Sequence, residues 1–182
     1  MTRVRGTLLG SSITALRERG LYEAYLAALG ESEREELVTL VPMSWIDIEL
    51  ALTHYRLVDR LVPDPEVQRA IGRSVGTRVQ ESYLKTLVRS LRVAGVVGPR
   101  RLLQRMPSIW SRVFEGGAVG VDQTGPKDVL LRVEGVPLFA VPYFGNACEG
   151  VFQVGLELIT RKAFVRQVAV SEDALSMGAS WV

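Results

Sequence analysis

The spacing of apolar residues changes once along this chain, at Gly116 and Gly117, and that change limits the folds open to it. Before the glycine pair, apolar side chains recur every three or four residues; after it, two segments alternate or run in short apolar stretches. The first pattern is that of amphipathic helices and the second that of strands. Segregated helices followed by strands argue an α+β fold, with a mainly helical part over 1–115 and a β-β-α-β antiparallel unit over 116–182. At 182 residues the chain suits a single domain able to bury a sizeable core.

Local signals divide the helical part. Ser11 and Ser12 can cap a helix that stops at Gly20, and Leu21 to Leu29 has helical spacing that ends at Gly30. Ser32 and Glu35 fit a capping box before Leu37, and Pro42 ends that segment. Ser44 is a candidate cap for a helix carrying Trp45, Ile48, Leu52, Tyr55 and Val58 on one stripe. Asp64 and Pro65 then open the longest predicted helix, to about Val93, with a change of stripe after Gly72 and Gly76. Shorter helices are expected over Arg100–Arg105 and Ser108–Phe114. In the second part the pattern predicts strands over Lys127–Val133, Val136–Phe144 and Ala163–Val170, with a helix over Asn146–Ile159.

Several function classes are narrowed by residue type alone. One cysteine, Cys148, rules out an internal disulfide and a multi-cysteine zinc site. No apolar run is long enough to span a membrane, and no signal-peptide core opens the chain, so a cytoplasmic location is expected. The net charge of +2 is unevenly spread: Ala15–Glu66 holds 5 basic and 11 acidic residues, while Arg73–Arg112 holds 9 basic residues and the single acid Glu81. The two stretches can face one another within the fold, or the basic one can meet an anion. On the basic helix Arg78, Lys85, Arg89 and Arg92 share a face and are the candidate anion-binding residues. No helix-turn-helix or zinc-finger spacing supports base readout, so nucleic acid is not an expected partner.

Candidate chemistry is sparse. His54 is the only histidine, with Asp47, Glu49 and Asp59 near it in sequence; it could ligate haem or act as a base, or be structural. Cys148 sits where a helix begins and could be a reactive thiol, or a small core residue. Gly150 and Gly155 lie inside a predicted helix without a phosphate-binding fingerprint, which points to close packing. No serine has the setting of a nucleophile elbow.

The stretch Ala147-Cys148-Glu149-Gly150-Val151-Phe152-Gln153-Val154-Gly155-Leu156-Glu157, between predicted strands, resembles the closing part of a known superfamily. That superfamily holds the haem nitric-oxide-binding domains, the vinyl-reductase-like (V4R) regulatory domains and the vesicle-tethering subunits of the TRAPP complex. A glycine near the start (Gly6 or Gly10), a long central helix and Trp181 near the end make the chain similar to its uncharacterised myxobacterial, hence bacterial, members. The resemblance implies the fold and a pocket for a ligand or partner. It does not extend to the Tyr-x-Ser-x-Arg motif of haem members or to the cysteine cluster of vinyl-reductase-like ones.

The sequence therefore reads as a non-catalytic regulatory module without a cofactor. It would hold a small apolar ligand or an acyl chain, or meet a protein partner, with a homodimer expected. Trp45, Tyr83, Trp110, Phe139, Phe144 and Phe152 are the candidate ligand-binding residues. The second reading is a haem sensor or enzyme using His54, which requires a cavity at His54 and a carboxylate such as Asp47 or Glu49 beside it. The third is the anion-binding surface.

Overall fold

A computed structural model describes residues 2–79 and 98–182. Tyr83, Lys85, Arg89, Arg92 and the later half of the long helix expected to reach Val93 lie outside the described residues. The fold is α+β, helices first and a sheet after. Strand β1 (Arg3–Arg5) leads into α1 (Gly6–Glu18), α2 (Tyr22–Ala27) and α3 (Glu31–Val38). Strand β2 (Trp45–Asp47) then precedes α4 (Ile48–Leu61) and α5, described over Pro65–Val79. Helices α6 (Pro99–Gln104) and α7 (Met106–Val113) end on β3 (Phe114–Glu115). The second part runs β4 (Ala118–Gly125), β5 (Asp128–Glu134), a 3-10 turn over Pro137–Ala140, α8 (Pro142–Glu157), β6 (Ala163–Val170) and β7 (Leu175–Trp181).

Two antiparallel sheets result. The larger has the order β4-β5-β7-β6 and the smaller β2-β1-β3. In the larger sheet Val129, Leu131 and Val133 on β5, and Leu175, Met177, Ala179 and Trp181 on β7, all turn into the core. Their alternation with exposed or half-exposed neighbours is the period-two signature of a sheet buried on one face. The smaller sheet pins the chain start: Val4, fully buried, sits opposite both Ile46 and Phe114.

The third predicted strand, Ala163–Val170, is β6 residue for residue. Elsewhere the second part departs from the sequence expectation. Val136–Phe144 is not a strand: Pro137 opens a 3-10 turn and Pro142 takes the first position of α8, where its missing N–H costs nothing. The partner of β5 is instead β4, whose Gly120, Asp122 and Gln123 dilute the apolar alternation. The tail forms β7 and lies between β5 and β6, so the unit is β-β-α-β-β. In the helical part, Trp45 belongs to β2, and α4 is capped not by Ser44 but by Asp47, which accepts from Glu49 N–H at 2.8 Å.

Helix α8 is the keel. It packs against α5 on one side and β6 on the other. The α5 contact is backbone against backbone: a Cβ at Gly72 would collide with Ala147, and one at Gly150 would collide with Arg69 and Arg73. A polar seam runs beside this crossing. Asp59 accepts from Tyr143 N–H at 2.9 Å at the start of α8, and from Gln68 Nε2 at 3.2 Å. Asn146 donates to Gln68 at 2.6 Å and accepts from Gln167 at 2.8 Å, and buried Glu149 accepts from Gln167 N–H at 2.5 Å and pairs with Arg69 at 3.2 Å. The seam thus ties α4, α5 and α8 to β6.

Gly150→Ala is expected to destabilise the fold by about 1–3 kcal/mol, because rigid backbone must move to admit one methyl. Chemical denaturation of the two proteins measures it. Gly155→Ala, where an added Cβ meets nothing within 4 Å, should leave stability nearly unchanged and serves as the control.

Candidate functional site

Between α5 and α8, below α6 and α7, the core leaves an apolar cavity of about 140 Å³. Helix α1 contributes Leu8 and Ser12, α4 contributes Tyr55, and α5 contributes Val75, Gly76 and Val79. The far wall is Leu102 and Leu103 with the α7 face Met106, Ile109 and Trp110; the floor is the α8 stripe Tyr143, Phe144, Cys148 and Phe152. Glycine makes room here too: Gly76 brings α5 close to Val151, and Gly155 leaves open space. Aromatic rings brace one end. Trp110 stacks on Phe114 at 4.0 Å, and Phe144 meets Tyr55 at 5.0 Å, Phe139 at 5.3 Å and Phe114 at 6.3 Å. The Trp110 indole N–H is spent on Gly116 O at 3.2 Å.

Of the six candidate ligand-binding residues, Trp110, Phe144 and Phe152 line this cavity. Phe139 lies one layer behind, against Phe144. Trp45 stands elsewhere, on β2, under the Arg5 guanidinium at 3.8 Å. Of the anion-binding set, Arg78 is within the described residues and is not an open cation. It donates to Ser11 O at 3.4 Å and pairs with Glu18 at 2.5 Å, holding that carboxyl below its usual range. At this point the basic stretch meets the acidic one inside the fold.

His54 is fully buried, and its surroundings differ from the sequence expectation. Among the described residues no carboxylate is hydrogen-bonded to it, and Asp47 is engaged as the α4 cap. Its Nδ1 lies 2.7 Å from the Tyr25 hydroxyl and its Nε2 lies 3.0 Å from the Ser12 hydroxyl, which in turn lies 3.3 Å from the Tyr143 hydroxyl. Burial lowers the imidazole from 6.5 to about 3, so the ring is neutral. The ring itself does not line the cavity, but Ser12 and Tyr143 do. The order Ser12–His54–Tyr25 has the connectivity of a nucleophile, base and orienter. Among the described residues it has no carboxylate to stabilise an imidazolium, and a base held near 3 takes up the serine proton poorly. Burial also pushes the Cys148 thiol to about 12, so it is protonated at neutral pH.

Sequence reasoning missed Ser12, Tyr25 and Tyr143. Ser12 read as a cap, yet it falls four residues after Leu8 and four before Leu16, on the buried stripe of α1. Tyr25 had the right helical spacing, but nothing local pairs it with a histidine 29 positions on. Among the described residues, no group of three or more His, Cys, Asp or Glu could hold a metal ion, and no helix is long and apolar enough to cross a membrane.

A family model described as "Protein of unknown function (DUF2378)" matches residues 8–181. No curated protein matches the sequence. Solved structures do. The Fe(II) unliganded H-NOX protein from K. algicida is 11% identical with a TM-score of 0.71, over 98% of this chain and 96% of that one. An oxygen-binding H-NOX domain related to soluble guanylate cyclases, in its oxygen complex, is 14% identical with a TM-score of 0.65, over 97% and 94%. A structure from work on haem distortion in the H-NOX family is 13% identical with a TM-score of 0.68, over 97% and 94%. These likenesses establish the fold. The fold they share is that of the haem-NO-binding domains; none of these three structures bears on the vinyl-reductase-like and TRAPP resemblances. The cofactor-free expectation is overturned by them, since solved structures that share this fold over nearly the whole chain come from work on haem in H-NOX proteins.

One consequence of the buried imidazole is directly measurable. Between pH 6.5 and about 3 the unfolded chain binds a proton at His54 that the folded chain does not, so stability rises with pH across that window. The whole loss on acidification is on the order of 4–5 kcal/mol, with about 2 kcal/mol of it between pH 6.5 and 5, above the ordinary carboxylate range. Urea unfolding at a series of pH values should show that slope, and His54→Gln should flatten it.

Proposed function

We propose, from the premise that the chain belongs to the DUF2378 family and has the H-NOX fold, that it is a non-catalytic sensory domain whose ligand, haem in the first reading, occupies the cavity between α5 and α8. The observation that supports this most is the coincidence of two facts: a fold shared over nearly the whole chain with haem proteins, and an apolar cavity bounded by both parts of that fold. An apolar, aromatic-walled cleft with few polar groups is the usual form of a cofactor site.

The residues present fit haem in one respect and not in another. The apolar walls have the chemistry that porphyrin faces need, but the space of about 140 Å³ is below the roughly 300–1,000 Å³ of pockets for groups that large. Cys148, in the lining, carries a soft donor for iron. Iron coordination would deprotonate its thiol despite the burial. His54 does not fit as the iron ligand: it lies outside the lining and both ring nitrogens are already engaged. Bound haem would supply gas and redox chemistry; this chain's own part is to exclude water from the site and to hold the iron at Cys148.

A second reading, an iron-free apolar ligand, draws on a different observation. Haem carries two carboxylates, and no Arg or Lys is among the described residues that line the cavity.

Titration of the purified chain with haemin, followed by absorbance and native mass spectrometry, separates the two. On the first reading a Soret band saturates at one haem per chain and Cys148→Ala abolishes or shifts it, while His54→Gln leaves it in place. Absence of the band and of the added mass removes haem from the proposal. An iron-free small-molecule mass that survives purification is the result expected from the second reading.

A further inference from the structure

The larger sheet turns one face to α8 and the other away from it. On all four strands, every residue pointing to the outer side is exposed or half-exposed. An open face is ordinary for an antiparallel sheet, and it is ordinarily polar. This one carries Phe164 at 50% exposure and Val168 at 60%, with Leu130 half-buried among Gly120, Gly178 and Ala169. The β6 edge is poorly suited to adding a further strand, because its ladder is irregular between Gln167 and Ala169. The face, and not the edge, is the surface on offer.

Strand register sorts that face into three rows. The first reads Asp122, Leu130, Gly178, Arg166, from β4 through β5 and β7 to β6. The second begins at Gly125 on β4 and ends at Phe164 on β6, and the third begins at Gly120 and ends at Ala169. Val168, at the irregularity between the first and third rows, lies against Gly178. The β4 ends of the rows are thus small or acidic, and β6 supplies the large and basic side chains. Arg166 has no ion pair among the described residues, and Asp122 keeps half its side chain exposed while paired with Arg132.

We propose that this face docks a second copy of the chain, sheet on sheet, about a two-fold axis parallel to the strands and between β5 and β7. That axis lays each row on its own reverse. Arg166 meets the partner's Asp122, Phe164 meets the partner's Gly125, and Leu130 packs on the partner's Gly178 and Val168. Each contact occurs twice, as a self-complementary interface requires. A two-fold axis across the strands would instead lay β6 on β6 and β4 on β4, bringing like charges together, so charge selects the first arrangement. Aligned sheets pack about 10 Å apart, and long side chains fit that gap where the facing residue is short. Four strands with about seven residues each present a face of roughly 20 by 23 Å. That is at most a standard-sized interface, so the dimer is reversible and dissociates on dilution.

Sedimentation velocity of the full chain over a dilution series tests this, and the wild type is expected to pass from dimer to monomer. Arg166→Asp sets carboxylates against carboxylates and Asp122→Arg sets guanidiniums against guanidiniums. Each should weaken the homodimer at least about tenfold. An equimolar mixture of the two variants should recover a dimer, because both cross-contacts are then of opposite sign. Gly120→Trp, where an added Cβ meets nothing within 4 Å, should block association without that charge change. All three positions are exposed, and circular dichroism matching the wild type is expected of each variant. A wild type that is monomeric at every concentration, a dimer that the substitutions leave intact, or folded charge variants that stay apart when mixed overturns the proposal.

Discussion

Glycines at 72 and 150 let α5 and α8 approach until backbone meets backbone, and most of the molecule is arranged around that crossing. Once α8 is pinned there, its other side is committed to the sheet, and the first turn of α8 is fixed by Asp59 reaching from α4. The helices then cannot close equally along their length. Where the glycines meet there is no room for a side chain; beside this contact, at Val75 and Val79 on α5 and Cys148, Phe152 and Gly155 on α8, the cavity opens. The tight crossing and the apolar space beside it share residues, since Gly76, Ala147 and Val151 take part in both.

Polar groups are distributed by the same logic. The seam of Asp59, Gln68, Asn146, Gln167, Glu149 and Arg69 is satisfied throughout and lies on the sheet side of the crossing. Buried networks of this kind favour one arrangement over its near alternatives, because a displaced partner leaves several groups unpaired at once. The chain of Tyr25, His54, Ser12 and Tyr143 lies on the cavity side, and each of its polar atoms has a partner within it.

The parts of this that were legible in sequence are those written in local spacing. Helical stripes, the α+β order and β6 follow from period, and Gly150 carried a packing reason that the structure supplies. Strands β4 and β7 were obscured because their outward positions hold Gly, Ser and Asp, and a strand buried on one face need be apolar only on that face. Val136–Phe144 misled because apolar residues suit a strand and a buried helix start equally, and the prolines decided between them. His54 was visible, but its partners lie 29 and 42 positions away along the chain, and no local rule joins a serine on α1 to a histidine on α4. Trp45 illustrates the converse: an aromatic residue with good helical neighbours went instead to a short strand beneath Arg5.

The cavity also has a volume, which matters apart from the free energy of anything that fills it. An apolar space of about 140 Å³ lined almost wholly by carbon offers water few hydrogen-bond partners. Unfolding eliminates such a void, and compression favours whichever state occupies less space. The space beside the α5–α8 crossing is thus a place where compression has volume to remove. A molecule lodged there would stiffen it.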